Sequence, residues 1–353
     1  MEKLIDKSGY ILNRINSTNK QKSANNVPFP KNALIELTSN CNHACVFCTN
    51  PRMKRKSDKL DLNFFKNFIN QAAELGLEEV GFYTTGEPLF RKDIGDFIHE
   101  AKKAGIKYIY ITTNGSLANI EKMKKLMDLG LSSVKFSINA GTKETYALVH
   151  GKDDFEKVVK NLRDLREYVD NNKKEVKLLS SFVVTKQTMH EIDLYKSKIG
   201  SLVDDFVLLG VMGQSGQSLK QLSELECEMS PEFPEQGKAK PCDMLWDRIH
   251  LTQEGYLNLC CIDYENQLVY SDLNKHTLKD AWNNEIIVKM RERQLSQDLS
   301  GTLCQNCLYG TTEEIHPILD VETKNRKENL VEKGNNSVVQ RIKKLTEKMK
   351  KKL

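Results

Sequence analysis

The chain has 353 residues, 39% of them hydrophobic, which is long enough for a large core and a smaller satellite at about 100–200 residues per domain. Its 53 basic against 48 acidic side chains leave a net charge of +5, too mild over this length to argue for a nucleic-acid binder, and the basic excess is local. The longest apolar run, near Phe206 to Met212, is far short of a membrane span. The opening Met1-Glu2-Lys3-Leu4-Ile5-Asp6 has no secretion-signal character, so the chain reads as cytoplasmic.

In chain order, residues 1–30 read as an N-terminal extension. From residue 31 to 212, short β-branched runs predict strands over 33–38, 79–84, 107–112, 133–138, 176–184 and 203–209. Amphipathic stretches predict helices over 62–75, 94–104, 117–129, 155–168 and 189–199, with Gly76, Gly105, Gly130 and Gly200 placed as C-caps. Strand–helix–strand units of about 25–30 residues imply parallel strands with right-handed crossovers. Six of them predict an α/β fold, an open (β/α)6 partial TIM-like barrel. Residues 213–240 turn to Gln, Ser, Glu and Pro and read as a linker. Residues 241–320 predict a small α+β domain, with strands over 248–252 and 256–260 and a helix over 278–293. Residues 321–353 read as a basic tail in which Val338, Ile342, Leu345 and Met349 share one helical face.

In such sheets ligands gather at the carboxyl ends of the strands. After the first predicted strand come Cys41, Cys45 and Cys48, and after the second Thr85-Gly86-Glu87-Pro88. After the third comes Asn114, and at the end of the fourth Ser137 and Asn139. The unusual polar residues therefore fall on one rim. Nine cysteines in a chain without an export signal point to metal or catalysis rather than disulfides. Cys41-Asn42-His43-Ala44-Cys45-Val46-Phe47-Cys48 puts three thiolates on one loop, able to hold three irons of a cubane and leave the fourth open. A tight cysteine loop also occurs at zinc sites.

This spacing, with Phe47 before the last Cys and Thr84-Thr85-Gly86-Glu87-Pro88 downstream, resembles the radical S-adenosylmethionine (radical SAM) superfamily. Thr85 stands where that family usually has a glycine. The resemblance implies a [4Fe–4S] cluster whose open iron binds S-adenosylmethionine, and a 5′-deoxyadenosyl radical produced on reduction. It implies cofactor contacts from Gly86, Glu87, Asn114, Ser137 and Asn139. Relatives often carry Arg-Gly where this chain has His150-Gly151, so the carboxylate contact assigned to that Arg is missing here, and His150 reads as a surface residue.

Twelve residues separate Cys242 from Gly255 and four separate Gly255 from Cys260, with Cys304-x-x-Cys307 to follow. This resembles the auxiliary-cluster region called SPASM, in its shortened "twitch" form, and implies one [4Fe–4S] cluster held by Cys242, Cys260, Cys304 and Cys307. A zinc ribbon is the alternative for four thiolates. Cys260 and Cys261 would point to opposite faces if extended. Cys261 is then a spare thiol like Cys227, and both are candidate hydrogen-atom donors.

A fully ligated auxiliary cluster suits electron transfer. The expected reaction is dehydrogenation or epimerisation of a small polar metabolite, a sugar or aminocyclitol, with a peptide or protein maturase as the alternative and a non-catalytic electron carrier as a third reading. The resemblance implies a flavodoxin- or ferredoxin-type reductant as partner. Nucleic acid is not expected, and the tail helix could bring peripheral membrane contact.

Overall fold

The computed structural model describes residues 22–55, 58–210 and 241–321. Residues 1–21, the whole 213–240 linker with Cys227, and the tail beyond 321 lie outside the described residues.

Six parallel strands form in sequence order: β1 (Asn32–Ile35), β2 (Glu79–Phe82), β3 (Tyr108–Thr113), β4 (Ser133–Ser137), β5 (Lys177–Val184) and β6 (Asp205–Gly210). Helices return between them: α1 (Leu62–Glu74), α2 (Ile94–Lys103), α3 (Ile120–Asp128), α4 (Lys143–His150), α5 (Phe155–Asn171) and α6 (Ile192–Ile199). β6 and β1 do not pair, so the sheet is a partial TIM barrel. The local chemistry of α1 shows why these elements form. Asp61 accepts the Phe64 N–H at 2.8 Å as an N-cap, and Phe65, Phe68, Ile69 and Ala72 recur at helical spacing on the buried face. Phe65 meets Phe82 of β2 and Phe97 of α2 at centroid separations of 5.8 and 5.0 Å, locking the helix layer to the sheet.

The cap glycines divide. Gly76, Gly105 and Gly130 take φ of 98°, 90° and 113°, the left-handed turn that ends a helix, whereas Gly200 does not (φ −55°). Its backbone stays right-handed and runs into a 3₁₀ turn, Gly200–Leu202, so the expected cap there is absent.

The C-terminal part continues the same sheet. β7 (Arg248–Leu251) lies parallel to β1 on the side away from β2, followed by antiparallel β8 (Tyr256–Asn258) and β9 (Val269–Asp272), giving the order β6-β5-β4-β3-β2-β1-β7-β8-β9. Gly255, at φ 87°, turns the β7–β8 hairpin, and a Cβ there would come 2.7 Å from the Phe64 ring. Around the hairpin pack α7 (Met244–Asp247), α8 (Leu278–Ala281), α9 (Glu285–Ser296) and α10 (Leu303–Tyr309). The single helix expected over 278–293 is two, because Asn284 Oδ1 accepts the N–H groups of Ile286 and Ile287 at 3.1 Å and starts a new helix.

Candidate active site

The loop bearing Cys41, Cys45 and Cys48 leaves the end of β1 and is held by groups distant in sequence. Ala44 and Val46 donate backbone N–H bonds to the carbonyls of His150 and Val149 (3.1 and 2.9 Å), and Asn50 Nδ2 bridges the carbonyls of Ser39 and Thr85 (2.7 and 2.6 Å). Gly86 is sterically required: a Cβ would stand 2.2 Å from the Thr38 carbonyl oxygen. Burial pushes the Cys41 thiol up to about 12 and raises Cys45 and Cys48 as well. Three half-buried thiols of this kind become thiolates when a metal centre supplies the positive charge. Among the described residues, His43, Cys45 and His150 are the group whose ligand atoms lie within 4.8 Å of one another.

A cavity of about 640 Å³ opens over the strand ends, lined by the three cysteines and by Gly86, Glu87, Asn114, Ser137 and Asn139. The five cofactor-contact candidates thus converge, but they differ in what they have free. Glu87 Oε1 accepts from Thr113 Oγ1 (2.7 Å) and Leu89 N–H (3.0 Å), and Oε2 from Asn114 N–H (2.8 Å). A carboxylate offers about four lone-pair sites, so roughly one remains for a ligand. Asn114 spends its amide on Asn42 (2.9 Å) and its oxygen on Ser116 (2.8 Å), while Asn139 Oδ1 accepts Val183 N–H (2.8 Å). Ser137 has no side-chain bond among the described residues, and Thr84 Oγ1 is a buried hydroxyl without a partner there. An orphaned hydroxyl, a glycine cradle and three half-buried thiols fit a cluster and its bound cofactor.

His150 is not at the surface. It is 1% exposed, with Nδ1 at 3.6 Å from Cys45 Sγ and 3.4 Å from His43 Nδ1, and its ring stacks on Tyr146 at 3.9 Å. The expectation failed because α4 turns its last residue inward: Gly151, at φ 65°, ends the helix 2.6 Å (from its notional Cβ) above the Ala44 carbonyl, pinning His150 beneath the cysteine loop. Burial lowers the pKa of both histidines.

A buried polar clamp also joins this loop to the C-terminal hairpin. Arg55 donates to Glu36 Oε1 (2.5 Å), both carboxylate oxygens of Glu254 (2.7 and 2.8 Å) and the Tyr264 carbonyl (2.7 Å). Glu36 also accepts from Thr85 Oγ1 and from Gln253 N–H (3.0 Å). Burial opposes the charge on Arg55, but Glu36 and Glu254 more than offset it and hold its pKa above the ordinary value. Tyr264 Oη reaches to 3.6 Å from Cys48 Sγ, so a side chain of the C-terminal part touches the first cysteine set. Nothing local in the sequence marks these residues, since Gln253, Glu254 and Tyr264 lie about 200 positions from Glu36 and Arg55.

The second set assembles from separate elements. Cys304 and Cys307 share one face of α10, and Cys242 precedes α7 with its N–H on Gln294 Oε1 of α9 at 3.1 Å. Gln294 is buried, and its amide nitrogen, without a partner at hydrogen-bonding distance, lies by Cys304. Burial pushes the Cys242 and Cys304 thiols up to about 11 and about 12. Cys260 and Cys261 do not face opposite ways. β8 ends at Asn258, residues 261–262 form a turn, and the two thiols bond to each other. Asp263 builds that turn by accepting from Asn258 Nδ2 and Leu268 N–H, both at 2.7 Å. His250 and Arg248 stand beside Cys261 and favour its charged form. Lys135, on β4, lines the cavity near Cys261. Burial and then Arg248 bring its pKa down to about 8. No helix among the described residues is long and apolar enough to cross a membrane.

Residues 35–196 match the radical SAM superfamily, and residues 242–308 match SPASM, an iron-sulfur cluster-binding domain. A probable GTP 3′,8-cyclase of Metallosphaera sedula is 32% identical over 206 residues, 56% of this chain and 62% of the cyclase. A PqqA peptide cyclase of Xanthomonas campestris is 32% identical over 113 residues, 32% of this chain and 30% of that enzyme. The chain thus spans less than two thirds of the length of either relative. Among solved structures, SuiB of Streptococcus suis bound to its precursor peptide SuiA superposes with a TM-score of 0.60 at 16% identity, covering 75% of this chain and 68% of SuiB. BtrN in complex with AdoMet and 2-DOIA superposes at 0.56 and 18% identity, covering 79% of this chain and 92% of BtrN. Likeness at that identity establishes the fold alone. Iron–sulfur clusters and S-adenosylmethionine are the cofactors these two domains imply. The chain belongs to the radical SAM superfamily and carries a C-terminal SPASM iron–sulfur domain.

Proposed function

We propose that this radical SAM enzyme modifies a peptide, drawing a hydrogen atom from a residue held in the 640 Å³ cavity. Cys41, Cys45 and Cys48 hold the first cluster and Cys242, Cys260, Cys304 and Cys307 the auxiliary one. Bound there, the first cluster and S-adenosylmethionine supply hydrogen-atom abstraction, and the auxiliary cluster supplies an electron acceptor. Gly86 lets the cofactor approach the backbone, Thr84 and Ser137 offer free hydroxyls, and Glu87 keeps one acceptor site for an ammonium.

The observation that carries the peptide reading is the composition of the remaining wall. Glu87, Asn114 and Asn139 are engaged by the protein itself and by the cofactor. The polar groups left are Lys135, Thr84, Thr112, Ser137 and Ser181, set among Phe47, Tyr83, Val183 and Leu209. A sugar or aminocyclitol needs a partner for each buried hydroxyl, and each one left unmade costs about 1–3 kcal/mol. An amino-acid side chain, with an apolar body and one polar end, suits an apolar wall with a single cation. Lys135 supplies that cation and takes a substrate oxygen. The names of the peptide cyclase relative and of SuiB support this reading over the sugar or aminocyclitol expected from the sequence.

The test gives the reconstituted, reduced enzyme and S-adenosylmethionine a synthetic peptide library in one arm and a panel of free sugars and aminocyclitols in the other, and follows 5′-deoxyadenosine by chromatography. Stimulation in the peptide arm is expected. Stimulation by the sugar panel alone would replace this reading with the metabolite one.

A further inference from the structure

The bonds around His150 determine which ring nitrogen carries its proton. Asn139 Oδ1 accepts Val183 N–H at 2.8 Å, which leaves Asn139 Nδ2 as the group 3.3 Å from His150 Nε2. The Asn139 backbone N–H donates to the same nitrogen, also at 3.3 Å. With two donors aimed at it, Nε2 is the bare nitrogen, and the ring proton sits on Nδ1. Nδ1 faces Cys45 Sγ at 3.6 Å and His43 Nδ1 at 3.4 Å. His43 in turn places Nε2 3.1 Å from Asp154 Oδ2, an acceptor, so its own proton is on Nε2 and its Nδ1 is bare. His43 Nδ1 is therefore a second acceptor facing the His150 proton and helps keep it on Nδ1, but 3.4 Å is long for an N–H···N bond, whereas 3.6 Å is an ordinary approach to sulfur. Tyr146, stacked on the ring with 13° between planes, keeps the ring from turning. The trio His43, Cys45 and His150 is not a mononuclear metal site of its own, because the Nδ1 that His150 turns toward the other two carries its proton and Cys45 belongs to the cluster loop.

We propose that His150 is a positioning residue that donates a hydrogen bond from Nδ1 to the Cys45 sulfur and so favours the reduced state of the cluster this cysteine holds. Asn139 and the Asp154–His43 pair select the tautomer that makes the donor permanent. A hydrogen bond to a cluster sulfur strengthens as the cluster gains negative charge, which is how such partners tune potential. The proposal rests on Cys45 being a cluster ligand, and not on the nature of the substrate.

The test is an EPR-monitored redox titration of the full-length, reconstituted protein, with the first cluster identified as the one whose signal responds to S-adenosylmethionine. His150→Phe keeps the stacking and loses the donor, whereas His150→Gln retains an N–H. At the wild-type midpoint the ratio of reduced to oxidised first cluster falls about tenfold in His150→Phe, equal to about 59 mV for one electron, and stays within about threefold of wild type in His150→Gln. An unchanged ratio in the Phe variant, or equal losses in both, overturns the proposal. If the Phe variant does not assemble the cluster, the wild-type protein decides. With ¹⁵N-histidine, pulsed EPR of the reduced first cluster must show a histidine nitrogen coupling and an exchangeable proton, and absence of the nitrogen coupling overturns it. Cys45→Ala separates the two levels, because survival of the cofactor-responsive signal in that variant would defeat the ligand assignment itself.

Discussion

The two cysteine sets solve one problem by opposite routes. The first occupies one loop from Cys41 to Cys48, and the second is gathered from Cys242, a turn at Cys260 and the helix α10. The compact set is held in shape from far away, by Asn50 across to Thr85, by His150 beneath and by Tyr264 from the C-terminal part. The dispersed set is held by ordinary secondary structure: a hairpin turned at Gly255, one helical face, and Gln294 between Cys242 and Cys304. Close spacing in the chain thus supplies ligands without supplying their conformation, and wide spacing costs nothing where rigid elements present the ligands.

The largest expected effect breaks the compact set. Cys45→Ala removes the first cluster and with it all 5′-deoxyadenosine formation, while the auxiliary cluster and about half the iron remain, measured by iron assay and product chromatography. Next comes the clamp between the two regions. Arg55→Met leaves Glu36 buried and unpaired, which costs about 3–5 kcal/mol of stability. Burial already raises the Glu36 carboxyl, and losing its cation raises it further. The folded state then binds more protons than the unfolded one, so the variant loses stability as pH rises above the ordinary glutamate range. Thermal unfolding at pH 5 and pH 8 checks this, and a larger deficit at pH 5 would refute it.

Breaking the dispersed set has a smaller catalytic reach. Cys304→Ala takes away the auxiliary cluster's iron and lowers the melting temperature of the C-terminal part, because the metal is one of the ties between α10 and the hairpin. The first cluster keeps its iron and its response to S-adenosylmethionine. Loss of both clusters together would show that the two regions fold as one unit through Arg55.

The contrast also explains what could be read in advance. The parallel strands, the rim and both cysteine sets follow from hydrophobic period and spacing, which are local. The interior place of His150 was hidden, because a histidine at the end of a helix looks alike whether its cap turns outward or, as Gly151 does, against a neighbouring loop. Arg55, Glu36 and Gln253 were silent for a related reason. Each is an ordinary polar residue until β7 docks beside β1 and closes the clamp. The pairing of Cys260 with Cys261 depended on where β8 stops, and Asp263 decides that through bonds no periodicity records.

The smallest effect is the most discriminating. Tyr264 belongs to the turn that follows Cys260 and Cys261, yet its hydroxyl lies against Cys48, so its side chain reaches the first set from beside the second. Tyr264→Phe deletes that hydroxyl and little else, since Arg55 binds the backbone carbonyl of the same residue. Both clusters keep their iron, and stability falls by about 0.5–1.5 kcal/mol, the net worth of one hydrogen bond. If the C-terminal part merely packs against the barrel, the reduced fraction of the first cluster does not move. If it also sets the electrostatics of the radical-generating site, that fraction at the wild-type midpoint falls about twofold, in the same direction as in His150→Phe, because each variant withdraws one donor from a sulfur of the same cluster.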